Sequence, residues 1–269
     1  MVQENMEECK KRKIDVQIEY LIVNDSPDII IEYDHSISID YSLRIIINDT
    51  NVGIHQSRVN GIKKAHGDYI IILDQDDVLL PKAVYSNIEN IGNSDLVLAN
   101  GYFVDTKGHE TRIYKNKVAH WMATKSLFYE CVSSLIVSPG HTMIKKSSIP
   151  DVWMKEIMSK NGSDDFFLWL LMFQAGSSIS INNQCVYKHI GTEINLSNDR
   201  RKMYESSENF CRMAKEKKLF NTSLLRRINR RTEFKIQWNF SALSKIQKIK
   251  LMIKNLDIIL VNMIYRLFY

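Results

Sequence analysis

Ile70-Ile71-Ile72-Leu73-Asp74-Gln75-Asp76-Asp77 is the stretch on which the reading of this chain turns. Four branched aliphatic residues in a row suit a buried strand, and the run breaks at a polar cluster rich in carboxylates. In an extended stretch, side chains two apart share a side, so Asp74 and Asp76 face one partner together while Asp77 points elsewhere. Hard carboxylate ligands at that spacing suit Mg²⁺ or Mn²⁺, and a cation held there would stabilise a diphosphate as a leaving group. A solvated acidic loop with helix-capping aspartates fits the octamer alone equally well.

The same pattern recurs upstream. Ile18 to Val23 is a short apolar run that stops at Asn24-Asp25-Ser26-Pro27-Asp28, and Leu43 to Ile47 stops at Asn48-Asp49-Thr50-Asn51. Between that strand and the one ending at Leu73, the residues Ile54, Ser57, Arg58, Gly61, Ile62 and Ala65 recur at helical spacing. Downstream, Pro81 suits the first turn of a helix running to about Ile91, and Asp95 to Val104 reads as a strand. Asp164 to Gln174 is apolar nearly all round and ends at Ala175-Gly176, as a buried helix with a glycine stop does. Ser177 to Tyr187 reads as one more strand. This alternation predicts an α/β fold of Rossmann-like type, a mixed and mostly parallel sheet flanked by helices, with its ligand crevice at the carboxyl ends of the strands.

Bulk properties agree with a folded protein. The chain has 269 residues, 45% hydrophobic and 25% charged, with only four prolines, far from the composition of disorder. Its four cysteines lie far apart with no CxxC pair, so neither a zinc site nor a disulfide framework is indicated, and a reducing cytoplasm is the simplest compartment. The first residues, MVQENMEECKKRK, lack the apolar core of a signal peptide, and no apolar stretch of membrane-spanning length occurs. Net charge is +5, yet Arg226 to Lys254 carries nine Lys or Arg against the single Glu233, which leaves the remainder slightly acidic. The boundary falls near residue 200, with a body over 1–200 and a helical, basic C-terminal region over 201–269.

In serial order, Ile22 to Asp28, Asn51-Val52-Gly53 with Ser57 to Ile62, Ala65 to Ile70, and Leu73 to Asp77 followed by Pro81 resemble the family 2 glycosyltransferases of the GT-A fold. The resemblance covers roughly Met1 to Asn198 and implies an inverting transferase that uses a nucleotide-diphosphate sugar, a UDP-sugar above all. It implies nucleotide-sugar contacts at Asn24, Asp25, Arg58, Asp74 and Gln75, and a metal, Mn²⁺ or Mg²⁺, on Asp74, Asp76 and His189. Gly162-Ser163-Asp164-Asp165-Phe166-Phe167-Leu168-Trp169 resembles the family's acidic motif that opens a helix, which makes Asp165 the general base. A carboxylate pair stabilising the helix dipole is the plainer account of the same residues. Ser138 to Lys146 resembles the acceptor segment, so Gly140 and His141 are expected on the acceptor side, together with Asp164 and Trp169 of the acidic motif. His189 stands in Val186-Tyr187-Lys188-His189, with Ser197 downstream.

One departure is visible. Family members normally begin with an apolar strand and a Pro-x-Tyr/Phe-Asn turn, whereas Met1 to Cys9 reads as starting inside the helix that follows. Loss of a central strand exposes backbone groups that another chain can cover, in a homo- or hetero-oligomer. Beyond the body, Ile246, Ile249, Ile253, Leu256, Leu260, Ile264 and Leu267 keep a helical apolar stripe among basic residues, suited either to an anionic membrane surface or to packing on the body. No recognition motif for nucleic acid accompanies the charge. The expected activity is sugar transfer to a hydroxyl of a lipid-linked glycan, by a protein that is cytoplasmic or peripheral on the inner membrane face. A catalytically impaired transferase-like partner in a glycan assembly is the alternative.

Overall fold

The computed structural model describes residues 1–32, 41–192 and 199–269. The chain opens with helix α1 (Val2–Lys11), and β1 (Glu19–Asn24) then pairs in parallel with β2 (Ser42–Ile47), in register from Glu19 opposite Ser42 to Asn24 opposite Ile47. Helix α2 (Ile54–Lys64) follows, then β3 (Tyr69–Ile70), β4 (Val78–Leu79), α3 (Ala83–Ile91), β5 (Leu96–Val104) and β6 (Glu110–Arg112). Short helices α4 (Lys117–Met122) and α5 (Ser126–Cys131) lead to β7 (Thr142–Lys145), α6 (Asp151–Lys155), α7 (Asp164–Gln174) and β8 (Ile179–Ile190). The chain closes with α8 (Arg200–Glu216), α9 (Thr222–Phe240), α10 (Lys245–Lys254) and α11 (Leu256–Phe268).

The main sheet runs β3-β7-β5-β8-β4, with β6 on β5. It is mixed: β5 and β8 are parallel, and β3, β4, β6 and β7 join antiparallel to their neighbours. Leu96, Val97, Leu98 and Ala99 are all fully buried, so this central strand is covered on both faces and reads as a continuous apolar run. Its ladder with β8 shifts register on either side of Asn100, a bulge beyond which both strands continue. Among the described residues β1 pairs only with β2, and β3 only with β7. The strand expected through Leu73 pairs over Tyr69–Ile70 alone; Ile71, Ile72 and Leu73 leave the ladder but keep their side chains against the core.

Helix α7 is the axis of the core. Phe166 through Met172 are buried without a break, so no face is left for water. Gly176, at φ 74°, ends it with a Schellman turn: Ser177 N–H donates to the Met172 carbonyl and Gly176 N–H to that of Phe173. Phe210 and Ala214 of α8 and Leu224 and Ile228 of α9 belong to the same buried cluster as the sheet. Buried Asn5 ties α1 to α3 by donating to the Leu80 carbonyl and accepting from Val84 N–H, an otherwise orphaned donor in the helix's first turn.

Candidate active site

Arg58 on α2 joins the two acidic segments. Its Nη1 donates to Asp164 Oδ2 at 2.8 Å and its Nη2 to Asp74 Oδ1 at 2.5 Å, so one guanidinium bridges the first turn of α7 and the end of the apolar run after β3. Burial alone would push this arginine's pKa down, but Asp164, Asp74 and Asp165 outweigh it and hold the pKa above its ordinary value. Helix α2 is fixed in turn by His55, which stacks on Trp153 with ring centroids 4.4 Å apart. Because Met158 N–H donates to His55 Nδ1, the ring proton lies on Nε2, which donates to the Trp153 carbonyl. Trp153 completes the brace by donating from Nε1 to the Asp164 carbonyl at 2.8 Å.

Asp165 stands beside this pair at the start of α7. Its side chain takes the Phe166 N–H at 2.6 Å. Burial, then the neighbouring Asp164 charge, push its pKa up to about 7, against the pull of Arg58. A carboxylate tuned to neutral pH takes and returns a proton far more readily than one at its ordinary value.

The acidic segment is a turn, not the extended stretch read from sequence, because Asp77 N–H donates back to the Asp74 carbonyl at 3.1 Å. The alternation argument for pairing Asp74 with Asp76 therefore does not apply. Asp74 faces Arg58, Gln75 and Asp76 are exposed, and Asp77 is buried. Asp77 accepts from the Tyr187 hydroxyl and from Ile190 N–H, and lies 3.1 Å from His189 Nδ1. His189 is thus turned toward Asp77; that hydrogen bond, against burial, raises its pKa, with Asp76 and Asp74 adding to the effect. Among the described residues no three His, Cys, Asp or Glu side chains gather tightly enough to form a ready-made metal cluster. Asp74, Asp76 and His189 are within one another's field without sharing a point.

Asp25 closes the other side of α2. Its Oδ1 accepts from Val52 N–H and Asn48 Nδ2 and its Oδ2 from Gly53 N–H, all within 2.9 Å. Burial works the other way, but these donors hold its pKa below the usual carboxylate value. The arrangement pins the turn that launches α2, with Gly53 at φ 85°.

The sequence profile of Glycosyl transferase family 2 matches residues 2–153, more than half of the chain. The chain belongs to that family. It is 29% identical over 158 residues to an uncharacterized glycosyltransferase, MJ1057, of Methanocaldococcus jannaschii, covering 55% of this chain and 52% of that protein. To a dolichol-phosphate mannosyltransferase of Pyrococcus furiosus it is 28% identical over 156 residues, covering 55% and 39%. The chain thus spans about half the length, or less, of these curated relatives. Among solved structures, S. aureus TarS residues 1–349 superposes with a TM-score of 0.51 at 16% identity, over 90% of this chain and 71% of that one. The same TarS fragment in complex with UDP gives 0.50 at 14% identity, over 87% and 68%. The fold is that of the GT-A transferases.

Several residues expected on the acceptor side of this family 2 member are buried and engaged by the protein itself. His141 is fully buried, with Nδ1 on the Ala99 carbonyl, and burial lowers its pKa to about 3, so it is a neutral core residue. It belongs to a column of stacked rings, His120, Tyr114, His141, Tyr187 and His189, that runs from the core to the site. Gly140 is needed by this column rather than by a substrate: a Cβ there would stand 2.5 Å from Tyr187 Cε2. Trp169 is only 1% exposed and Asp164 only 2%, which leaves both to the core and to Arg58. Asn24 is spent locally, accepting from Ser26 N–H and donating to the Ile29 carbonyl. Ser197 lies outside the described residues. Sequence reasoning missed His55, Trp153 and Tyr187, whose roles depend on contacts across the fold.

Proposed function

We propose that this chain is an inverting glycosyltransferase that moves a sugar from a nucleotide-diphosphate sugar, of the UDP class, to a hydroxyl of a lipid-linked glycan. The observation that carries the reading is Asp165, a carboxyl tuned to about pH 7 at the mouth of a buried Arg58–Asp164 pair. In its ionised form Asp165 accepts the acceptor hydroxyl's proton as that oxygen attacks the anomeric carbon. The new carbon–oxygen bond forms opposite the bond to the diphosphate, which leaves with the electron pair, so the anomeric configuration inverts. Arg58 holds Asp74 and Asp164 in fixed relation while this happens.

The donor set at the turn fits a hard divalent ion, since Asp76 is exposed and Asp74 lies on the same turn. Mg²⁺ or Mn²⁺ held by these two carboxylates and the diphosphate oxygens would supply neutralisation of the leaving group. The TarS fragment similar in fold is described in complex with UDP, which supports the choice of nucleotide. The body over 1–200 carries this site, and 201–269 forms the helical extension. The cysteines of the described residues are all free, in keeping with the cytoplasm. Among the described residues no helix is long and apolar enough to cross a membrane.

Asp165→Asn tests the reading. Calorimetry with UDP and Mn²⁺ should give binding like that of the parent, while sugar transfer falls by about 10²- to 10⁴-fold. Retained turnover removes Asp165 as the base. No UDP binding by the folded parent protein would favour instead a catalytically impaired partner in a glycan assembly.

A further inference from the structure

The positive charge of the C-terminal region divides into two parts that face opposite ways. On α9, Arg227 pairs with Glu130, Arg230 takes Asp257 and the Lys254 carbonyl, and buried Arg231 donates to the Tyr129 carbonyl. Those arginines hold α9 against the body and against α11. On α10, by contrast, Lys245, Lys248, Lys250 and Lys254 are exposed, the helix contains no acidic residue, and none of the four has a carboxylate partner among the described residues. Lys248 only leans over the Trp238 ring, 5.7 Å from its centroid.

Between these lysines lies an apolar stripe that is largely exposed. Ile246 is 68% exposed, Ile249 57% and Ile253 63%, although α10 is a well-formed helix started by a capping box between Ser244 and Gln247. At about 100° per residue these three share one face, and Leu251, the residue α10 buries, points the opposite way. Lys250 flanks the stripe on one side and Lys245 on the other, with Lys254 and Lys248 further round the helix toward Leu251. Helix α11 repeats the pattern: it buries Ile258 and anchors to the body through Asn262 on the Cys131 carbonyl, while Leu260, Met263 and Leu267 on its far side are 55%, 58% and 79% exposed. Packing on the body therefore uses one face of each helix and leaves the other apolar.

We propose that the outward faces of α10 and α11 form a docking surface for an anionic lipid bilayer. An apolar stripe rimmed on both flanks by lysines is the chemistry of an interfacial helix: the aliphatic side chains enter the acyl boundary and the lysine stems reach back to phosphate. A second copy of the chain fits less well, because it would set the same uncompensated lysines against these. The surface is separate from the acidic site, so the proposal stands or falls independently of the transferase reading.

The test is co-sedimentation of the full chain with vesicles of phosphatidylcholine alone and of phosphatidylcholine with phosphatidylglycerol. Binding is expected on the mixed vesicles, at least about tenfold weaker on the neutral ones, and weakened by salt. Each Lys→Gln change among the four α10 lysines should weaken it about five-fold, and Ile249→Glu with Ile253→Glu should abolish it. Because all these side chains are exposed, the variants should keep the parent's circular dichroism and melting temperature. Equal binding to both vesicle types, or none, overturns the proposal. So does a dimer in sedimentation velocity that the double glutamate variant dissolves while vesicle binding is absent.

Discussion

The first turn of α7 and the turn from Asp74 to Asp77 are both acidic, yet they are built differently. At α7 the carboxylates are assembled in advance: Asp164 is buried on Arg58, and Asp165 beside it has its pKa set by burial and by that neighbour. At the other turn, Asp77 is buried and hydrogen-bonded, Asp74 is partly exposed on Arg58, and Asp76 faces water. If Asp165 is the base proposed above, it needs a fixed environment, because a pKa depends on what surrounds the group. On the proposed function, the turn would meet a diphosphate and an ion and could wait for them, since hard cations complete their shell with substrate oxygens and water.

That contrast can be broken most directly at Arg58. Arg58→Met should cost about 3–5 kcal/mol in urea unfolding, because Asp164 stays buried without its countercharge. Adding Asp164→Leu should recover much of the loss, and a cost under about 1 kcal/mol would mean that α7 is not pre-assembled. Asp77→Ala comes next. It removes the acceptor that the Tyr187 hydroxyl and the Ile190 N–H share, for about 1–3 kcal/mol by the same measurement.

Asp165 sharpens the comparison through pH. Its carboxyl titrates near 7 in the folded chain against a reference of 3.8, so the folded state binds more protons between those values. Stability from this group is therefore full below about 4 and is lost as pH rises toward 7. Asp165→Asn carries no such loss, so its melting temperature relative to the parent should climb between pH 5 and pH 8. If Asp165 is the base, turnover of the parent should fall about tenfold per pH unit below 7, as its carboxylate becomes protonated. A flat melting difference across that range would show that Asp165 is solvated like Asp76.

Most of the fold is legible in the chain because periodicity and stop signals are local. The limits of α7, its glycine stop, α2 and the early strands all follow from residues within a few positions of one another. Side-chain destinations are not local. Arg58 meets Asp164 from 106 positions away, and nothing near either residue announces the pairing. His141 and Gly140 were expected to face an acceptor because Ser138 to Lys146 resembles the family's acceptor segment, whereas the Ala99 carbonyl and the Tyr187 ring give both an interior use. Likewise the arginines of α9 and the lysines of α10 look alike in composition. They part in space because the planar guanidinium matches carboxylates and carbonyls inside the protein, while the compact ammonium stays hydrated.

Asp76→Ala should have the smallest effect on folding and is the most informative about the turn. The side chain is exposed and accepts no hydrogen bond among the described residues, so its removal should change stability by no more than about 0.5 kcal/mol. If the turn waits for its ligand, the whole effect must emerge when UDP and Mn²⁺ arrive together: binding measured by calorimetry should weaken at least about tenfold with the ion present, and much less with the ion chelated. Equal weakening in both conditions would mean that Asp76 contacts the nucleotide directly. A large stability loss without ligand would mean that the turn is as fixed as α7, and the two acidic segments would no longer differ in kind.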